Sequence, residues 1–146
     1  MRTTLPRWCR IVREMAVRYE PGAIVREAAD VFGLVGDRAA REEVEVFNVL
    51  LLNGRNRLLA LQEVSRGSAT AALVHPREVF RLAIAMGAAA VILHHNHPSG
   101  DPEPSAEDRA LTDRLRQAGE LLGIRVLDHV VTGGARFHSF GDAGLL

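Results

Sequence analysis

An apolar run, Ala88 to Leu93, leads into His95-Asn96-His97-Pro98-Ser99-Gly100, and this junction constrains the fold more than any other stretch of the chain. A continuous apolar segment of that length reads as a buried strand. Two imidazoles at i,i+2 spacing are therefore carried to its end. On extended backbone such residues point to the same side, so His95 and His97 could share one metal ion. Pro98 biases His97 toward extended backbone, Gly100 lets the chain turn, and Asp101, Pro102 and Pro104 keep the loop out of regular structure. A third donor follows at Asp108, in Ser105-Ala106-Glu107-Asp108. Two neutral nitrogens and one carboxylate oxygen suit zinc and leave a fourth position for water. The same spacing has a second reading, because Ser105-x-x-Asp108 is also a capping box in which Asp108 merely bonds a helix start.

At 146 residues and 47% hydrophobic composition, the chain fits one domain with an ordinary core. Eighteen basic and eighteen acidic side chains cancel, so no chain-wide field argues for nucleic acid or membrane binding. All the basic residues are arginine, which excludes a lysine nucleophile or Schiff base. A lone cysteine, Cys9, excludes an internal disulfide framework and a multi-cysteine zinc site. No apolar run is long enough to span a bilayer, and the arginine-studded N-terminus lacks the apolar core of a secretory signal. A cytoplasmic protein without membrane partners is expected.

Residues 6–19 place Trp8, Ile11, Val12, Met15 and Tyr19 at helical spacing, with Pro21-Gly22 as the stop. The opposite face carries Arg7, Arg10, Arg13 and Arg18, either a solvated surface or a patch for nucleic acid. A second helix is expected from about Ala23 to Phe32, stopped by Gly33. Val46 to Leu52 reads as a buried strand, Asn53-Gly54 as a tight turn and Leu58 to Val64 as the hairpin partner. Ala71 to Val74 is a short strand, and His75-Pro76 opens a helix that Gly87 ends. Ala88 to His94 is a further strand. Ser105 caps a helix with Leu111, Leu115, Ala118 and Leu122 inward and Gly123 at its end. Strands at Ile124 to Val131 and Phe137 to Phe140, joined at Gly133-Gly134, complete the chain. The expected class is α/β (α+β): a single domain with one mixed sheet flanked by helices. Residues 1–44 form an N-terminal helical segment of the same compact unit, and 45–146 form the domain that carries the metal donors.

Metal-assisted chemistry needs a base, and Glu45, directly before the Val46 to Leu52 run, could lie at the rim of the sheet. Glu42 and Glu43 compete with it, and on the pattern alone an exposed acidic turn is the simpler reading of all three. His94 should face away from the pair by alternation. His75 belongs to a turn or helix entry.

Taken together, Glu45 before a strand, His95-x-His97-Pro98-x-Gly100 and Ser105-x-x-Asp108 resemble the motif of the JAMM (MPN-plus, JAB) metal-dependent hydrolases. Val74-His75-Pro76-Arg77-Glu78, the loop from His95 to Pro102 and Leu127-Asp128-His129 are similar to its RadC branch. The likeness runs from about Glu45 to Phe140. It implies a JAMM/MPN architecture of the cytidine-deaminase-like type. His95, His97 and Asp108 become ligands of one Zn2+ per chain, Glu45 the general acid/base and Ser105 an oxyanion-stabilising hydroxyl. Asp128, His129 and His75 become candidates for a hydrogen bond behind a ligand histidine; for His129 and Asp128, satisfaction within the core is the alternative. His138 departs from the pattern.

Residues 1–44 contain no glycine-bearing hairpin of the helix-hairpin-helix kind found upstream in longer RadC proteins, so the short stand-alone form is expected. The reaction class implied is peptide or isopeptide hydrolysis. The DNA-repair label attached to RadC-like proteins makes DNA the competing partner, and the fold also hosts non-catalytic scaffolds. Strand edges rich in Ala, Leu and Val are compatible with a homodimer.

Overall fold

The computed structural model describes residues 22–67 and 74–146. The expected helix at 6–19 and most of the expected strand at Ala71 to Val74 lie outside the described residues.

Two runs that are apolar on both faces form the middle of the sheet. In β1 (Val46–Leu52), Phe47, Val49 and Leu51 point to one side and Leu50 and Leu52 to the other, all of them buried. In β3 (Ala90–Asn96), Val91 and Leu93 oppose Ile92 in the same manner. Strands buried on both faces need layers on both sides. Between the two central strands come β2 (Leu58–Arg66) and the helix α2 (Pro76–Met86). After β3 follow α3 (Ala106–Leu122), β4 (Arg125–Gly133) and β5 (Arg136–Ser139). The five strands lie in the order β2-β1-β3-β4-β5. Only β3 and β4 run parallel.

On the first face, Val79, Phe80, Leu82 and Ala83 of α2 and Leu111 and Leu115 of α3 pack on Phe47, Val49, Leu51, Val91 and Leu93. On the second face, the helix α1 (Ala28–Ala39) lays Ala28, Val31 and Val35 over Leu50, Leu52, Leu61, Ile92 and Val130. A parallel pair requires a crossover, and α3 provides it, so the N-terminus of α3 sits beside the C-terminal end of β3. Sites in mixed sheets collect at such strand ends.

Four expectations need correction, the first being Leu122, expected inward but 47% exposed in the last turn of α3. The helix expected at Ala23 to Phe32 instead begins after Glu27 and runs through Gly33 to Ala39. The Asp30 carboxylate accepts the Arg26 and Glu27 amides at its start, and burial of Val31, Val35 and Ala39 outweighs a glycine cost of about 1 kcal/mol. The hairpin turn is also longer than Asn53-Gly54. The Asn53 side chain accepts the amides of Arg55 and Arg57, and Asn56, at φ 57°, takes the left-handed position in place of the glycine. Finally, β3 extends to Asn96, so His95 is a strand residue, held in register opposite Phe47 on one side and Val131 on the other.

Candidate metal centre

His95 projects from the first face near the end of β3, and His97 follows on the same side immediately beyond it. Their Nε2 atoms are 3.0 Å apart. Asp108, in the first turn of α3, brings Oδ1 to 3.3 Å from His95 Nε2 and Oδ2 to 3.2 Å from His97 Nε2. One donor atom from each of the three residues lies within 4.8 Å of the other two. His95 is fully buried and Asp108 nearly so, while His97 keeps an edge toward solvent. Both readings of Ser105-x-x-Asp108 hold at once. The Ser105 amide donates to Asp108 Oδ2 at 2.8 Å and the Asp108 amide to Ser105 Oγ at 3.0 Å, yet the same carboxylate faces both imidazoles.

The hydrogen bonds behind the rings dictate where their protons are. His97 Nδ1 lies 2.8 Å from the Asp101 carbonyl, which can only accept, so Nδ1 carries hydrogen and Nε2 a lone pair. Thr112 donates its one hydroxyl hydrogen to the Asp108 carbonyl at 2.7 Å, so it can only accept from His129 Nδ1, 2.6 Å away. A neutral His129 then has a lone pair on Nε2, and that atom accepts from His95 Nδ1 at 2.8 Å. His95 Nε2 is left bare. Two imidazole lone pairs and a carboxylate therefore converge on one spot, an arrangement that repels itself unless a cation or a proton occupies the middle.

The donor set fits a metal. Two atoms about 2.0–2.1 Å from a tetrahedral zinc are about 3.3 Å apart, close to the separations observed here. Nitrogen and oxygen donors with hydrogen-bonded rear nitrogens are also the usual zinc chemistry. Without a cation, a proton takes the position. A hydrogen bond to Asp108 raises the pKa of His97 against the opposing effect of burial, with the Asp101 carbonyl and the charges of Asp108 and Glu45 adding to it. Burial pushes Asp108 up, but the hydrogen bonds to His95 and His97 outweigh it and hold the carboxyl below its ordinary range. Burial, followed by the charge of His95, pushes His129 well down, so it stays neutral.

Packing fixes the rings. Phe47 stacks on His95 and meets His129 edge-on, and Phe140 stacks on His129 with centroids 4.9 Å apart. The loop after β3 is tied to β4 by the His97 amide, which donates to the Thr132 carbonyl at 2.7 Å. Gly133 makes that approach feasible: a Cβ there would stand 2.7 Å from Pro102 N and 2.8 Å from the Gly100 carbonyl group.

A cleft opens beside the cluster, lined by Glu45, His97, Pro98, Ser99, Ser105, Glu107 and Asp108. Glu45 is half-buried and stands directly before β1. Its rivals go elsewhere. Glu42 is paired with Arg66 at 2.7 Å, which lowers its pKa, and Glu43 is exposed. Glu107, which the spacing did not single out, brings a third carboxylate to the cleft beside those of Glu45 and Asp108.

Of the supporting candidates, His129 contacts His95 directly. Asp128 does not join it, because neighbouring residues of a strand face opposite ways. Its carboxylate instead accepts the Ser139 hydroxyl at 2.6 Å and the amides of His129 and Gly141, tying down the C-terminal turn. His75 is the N-cap residue of α2. His94 faces away as alternation requires, receiving Asn48 Nδ2 on Nδ1 and donating from Nε2 to Thr132 Oγ1, and burial pushes its pKa down to about 3. His138 lies in β5 against the edge of Phe140.

Thr112 and Asn96 escaped the reading of the sequence. Thr112 carried a usable signal, since it is a polar residue inside the apolar stripe of α3 and one turn beyond Asp108. Asn96 carried none, because its partners are distant in sequence.

A model of the RadC-like JAB domain matches residues 25–145. The chain is 54% identical to a UPF0758 protein of Symbiobacterium thermophilum over 116 residues, 80% of this chain and 50% of the relative. It is 58% identical to a UPF0758 protein of Geobacter sulfurreducens over 102 residues, 70% of this chain and 44% of the relative. A third, from Desulforamulus reducens, is 47% identical over 134 residues, 92% of this chain and 59% of the relative. The chain thus spans about half the length of the curated relatives it matches. No helix among the described residues is long and apolar enough to cross a membrane.

Proposed function

The chain belongs to the RadC-like JAB domain family, and from that premise we propose that it is a zinc-dependent hydrolase of peptide or isopeptide bonds. The observation that carries this reading is the convergence of two imidazole lone pairs and the Asp108 carboxylate beside a cleft that Glu45 also lines. His95, His97 and Asp108 hold the ion. When bound, zinc polarises a carbonyl and lowers the pKa of water from about 15.7 toward about 7.

The rest falls to the chain itself. Glu45, half-buried at the cleft wall, takes the proton of the attacking water on its carboxylate and returns it to the leaving amine. Ser105 accepts the Asp108 amide through its oxygen, and a hydroxyl that accepts can still donate its own hydrogen to a developing oxyanion. Loss of one such donor costs about 2.7 to 4 kcal/mol in transition-state binding. His129 and Thr112 keep His95 in the form that binds metal.

The test combines metal analysis with a peptide and isopeptide pool. Purified protein is expected to hold one zinc per chain. Glu45→Gln should keep that zinc and lose turnover, whereas Glu107→Gln should retain both. Turnover at the wild-type rate in Glu45→Gln would reject Glu45 as the base, and a chain that takes up no zinc would reject the hydrolase reading.

A further inference from the structure

We propose that Asn96, the middle residue of His95-Asn96-His97, is the positioning residue for Glu45: its carboxamide bridges the main chain on either side of Glu45 and sets where that carboxylate enters the cleft. The inference deepens the hydrolase reading and rests on it. It starts from the place where the sheet runs out. The antiparallel ladder between β1 and β3 ends at the pair Phe47 and His95. The next rung, Val46 with Asn96, is missing from the register, and the His97 amide, two residues beyond His95, goes to the Thr132 carbonyl of β4. The Asn96 side chain supplies that rung. Its Oδ1 accepts the Val46 amide at 2.7 Å, and its Nδ2 donates to the Val44 carbonyl at 3.0 Å.

A carboxamide carries one acceptor and one donor group, as a peptide unit does, so it can replace a strand backbone across a single residue. The orientation of the amide is unambiguous, because an N–H can only donate and a carbonyl can only accept. Asn96 is 3% exposed and its bond to the Val46 amide is buried, while the bond to Val44 lies nearer the surface. On the opposite side the Gly67 amide donates to the Glu45 carbonyl at 2.8 Å. The main chain at Glu45 is therefore gripped from both flanks, at Val44 and Val46 by β3 and at its own carbonyl by the end of β2.

The i,i+1 alternation of the strand gives this its function. His95 and His97 face the metal side, so Asn96 must face the other way, where it is useless as a ligand but meets the entry to β1. One tripeptide thus places two ligands and registers the base against them. A displacement of about 1 Å in such a group can cost about 10²-fold in rate. A buried asparagine that served only to close the sheet would leave Glu45 indifferent to its removal.

The experiment uses protein labelled with 13C at glutamate carboxyls and 15N at amides, with Glu45→Gln to assign the Glu45 signal, and Zn2+ alone as the probe. In the wild type, the Glu45 carboxyl resonance is expected to shift on zinc addition. In Asn96→Ala, the chain should still bind one zinc, as judged by chelator competition. The Glu45 response should shrink or vanish, and exchange of the Val46 amide should quicken about tenfold or more, in line with a lost buried hydrogen bond. The His97 amide, bonded to Thr132, should keep its protection. Should Asn96→Ala not fold, Asn96→Ser carries the test, because one hydroxyl cannot span both Val44 and Val46. An unchanged Glu45 response in a folded, zinc-binding Asn96 variant overturns the inference and leaves the hydrolase reading standing. A wild-type Glu45 signal indifferent to bound zinc overturns both.

Discussion

Replacing Thr112 by valine tests whether the buried relay behind His95 governs metal binding. Valine matches threonine in shape, so Thr112→Val removes a hydroxyl without opening a cavity at a site 1% exposed. The Asp108 carbonyl loses a donor but keeps its helical amide partner. His129 Nδ1, 2.6 Å from the lost oxygen and fully buried, is left with a hydrogen and no acceptor. An orphaned buried donor costs about 1 to 3 kcal/mol. The relay has one escape: His129 moves its hydrogen to Nε2, which forces the His95 hydrogen from Nδ1 to Nε2 and removes the lone pair aimed at the metal. Either the apoprotein is destabilised by the orphan, or zinc must reverse the switch and bear its cost. The expected loss in zinc affinity is about 10- to 100-fold, equivalent to about 1.4 to 2.7 kcal/mol. Chelator competition near neutral pH measures the affinity, urea unfolding of the apoprotein measures the stability, and long-range 1H–15N spectra read which ring nitrogen of His95 and His129 carries hydrogen. Thr112→Ser should restore both quantities. A folded Thr112→Val protein with wild-type zinc affinity and wild-type apoprotein stability would refute the reasoning, as would a wild-type His129 protonated at Nε2.

Gly133→Ala should destabilise the protein by about 1 to 3 kcal/mol, because its Cβ meets the backbone of Gly100 and Pro102, which cannot swing aside as a side chain would; a thermal melt with and without zinc checks this, and the zinc affinity should fall as well. Zinc at about 1,000 times its dissociation constant should add about 4.1 kcal/mol to unfolding, and Asp108→Asn should abolish most of that increment in calorimetry. The metal-free protein should lose stability as pH falls below about 6.5. His94 has its folded pKa lowered to about 3, so the unfolded chain takes up the proton first, at a cost of up to about 1.4 kcal/mol per pH unit down to that value. His129 acts in the same sense. His97, raised by Asp108, acts in the opposite sense, contributing fully below its unfolded value and losing that contribution as pH rises through its folded one. Urea unfolding across this range, with His94→Gln expected to flatten the slope, measures the balance.

Much of the site was legible along the chain because metal chemistry draws on few residue types. Imidazoles at i,i+2 beyond an apolar strand, and a carboxylate in the first turn of the next helix, are local patterns. Glu45 was legible as a rim residue but not separable from Glu42 and Glu43. The difference lies in Arg66, which captures Glu42 from the far end of β2, and in the Asn96 clamp. The errors in the elements were local too. Gly33 was read as a stop, whereas burial of Val35 and Ala39 on the sheet carries the helix past it.

Taken alone, the sequence indicated the strand and helix types found among the described residues, the burial of β1 and β3, and three candidate donors, because periodicity and spacing are properties of a few consecutive residues. Which nitrogen of each imidazole bears hydrogen, which glutamate stands at the cleft and what holds it there were decided by the tertiary structure. Those outcomes depend on contacts between Thr112 and His129, His129 and His95, and Asn96 and Val46, pairs separated by 17 to 50 positions. A hydrogen bond has a direction only once both of its partners are in place, and here the fold alone brings them together.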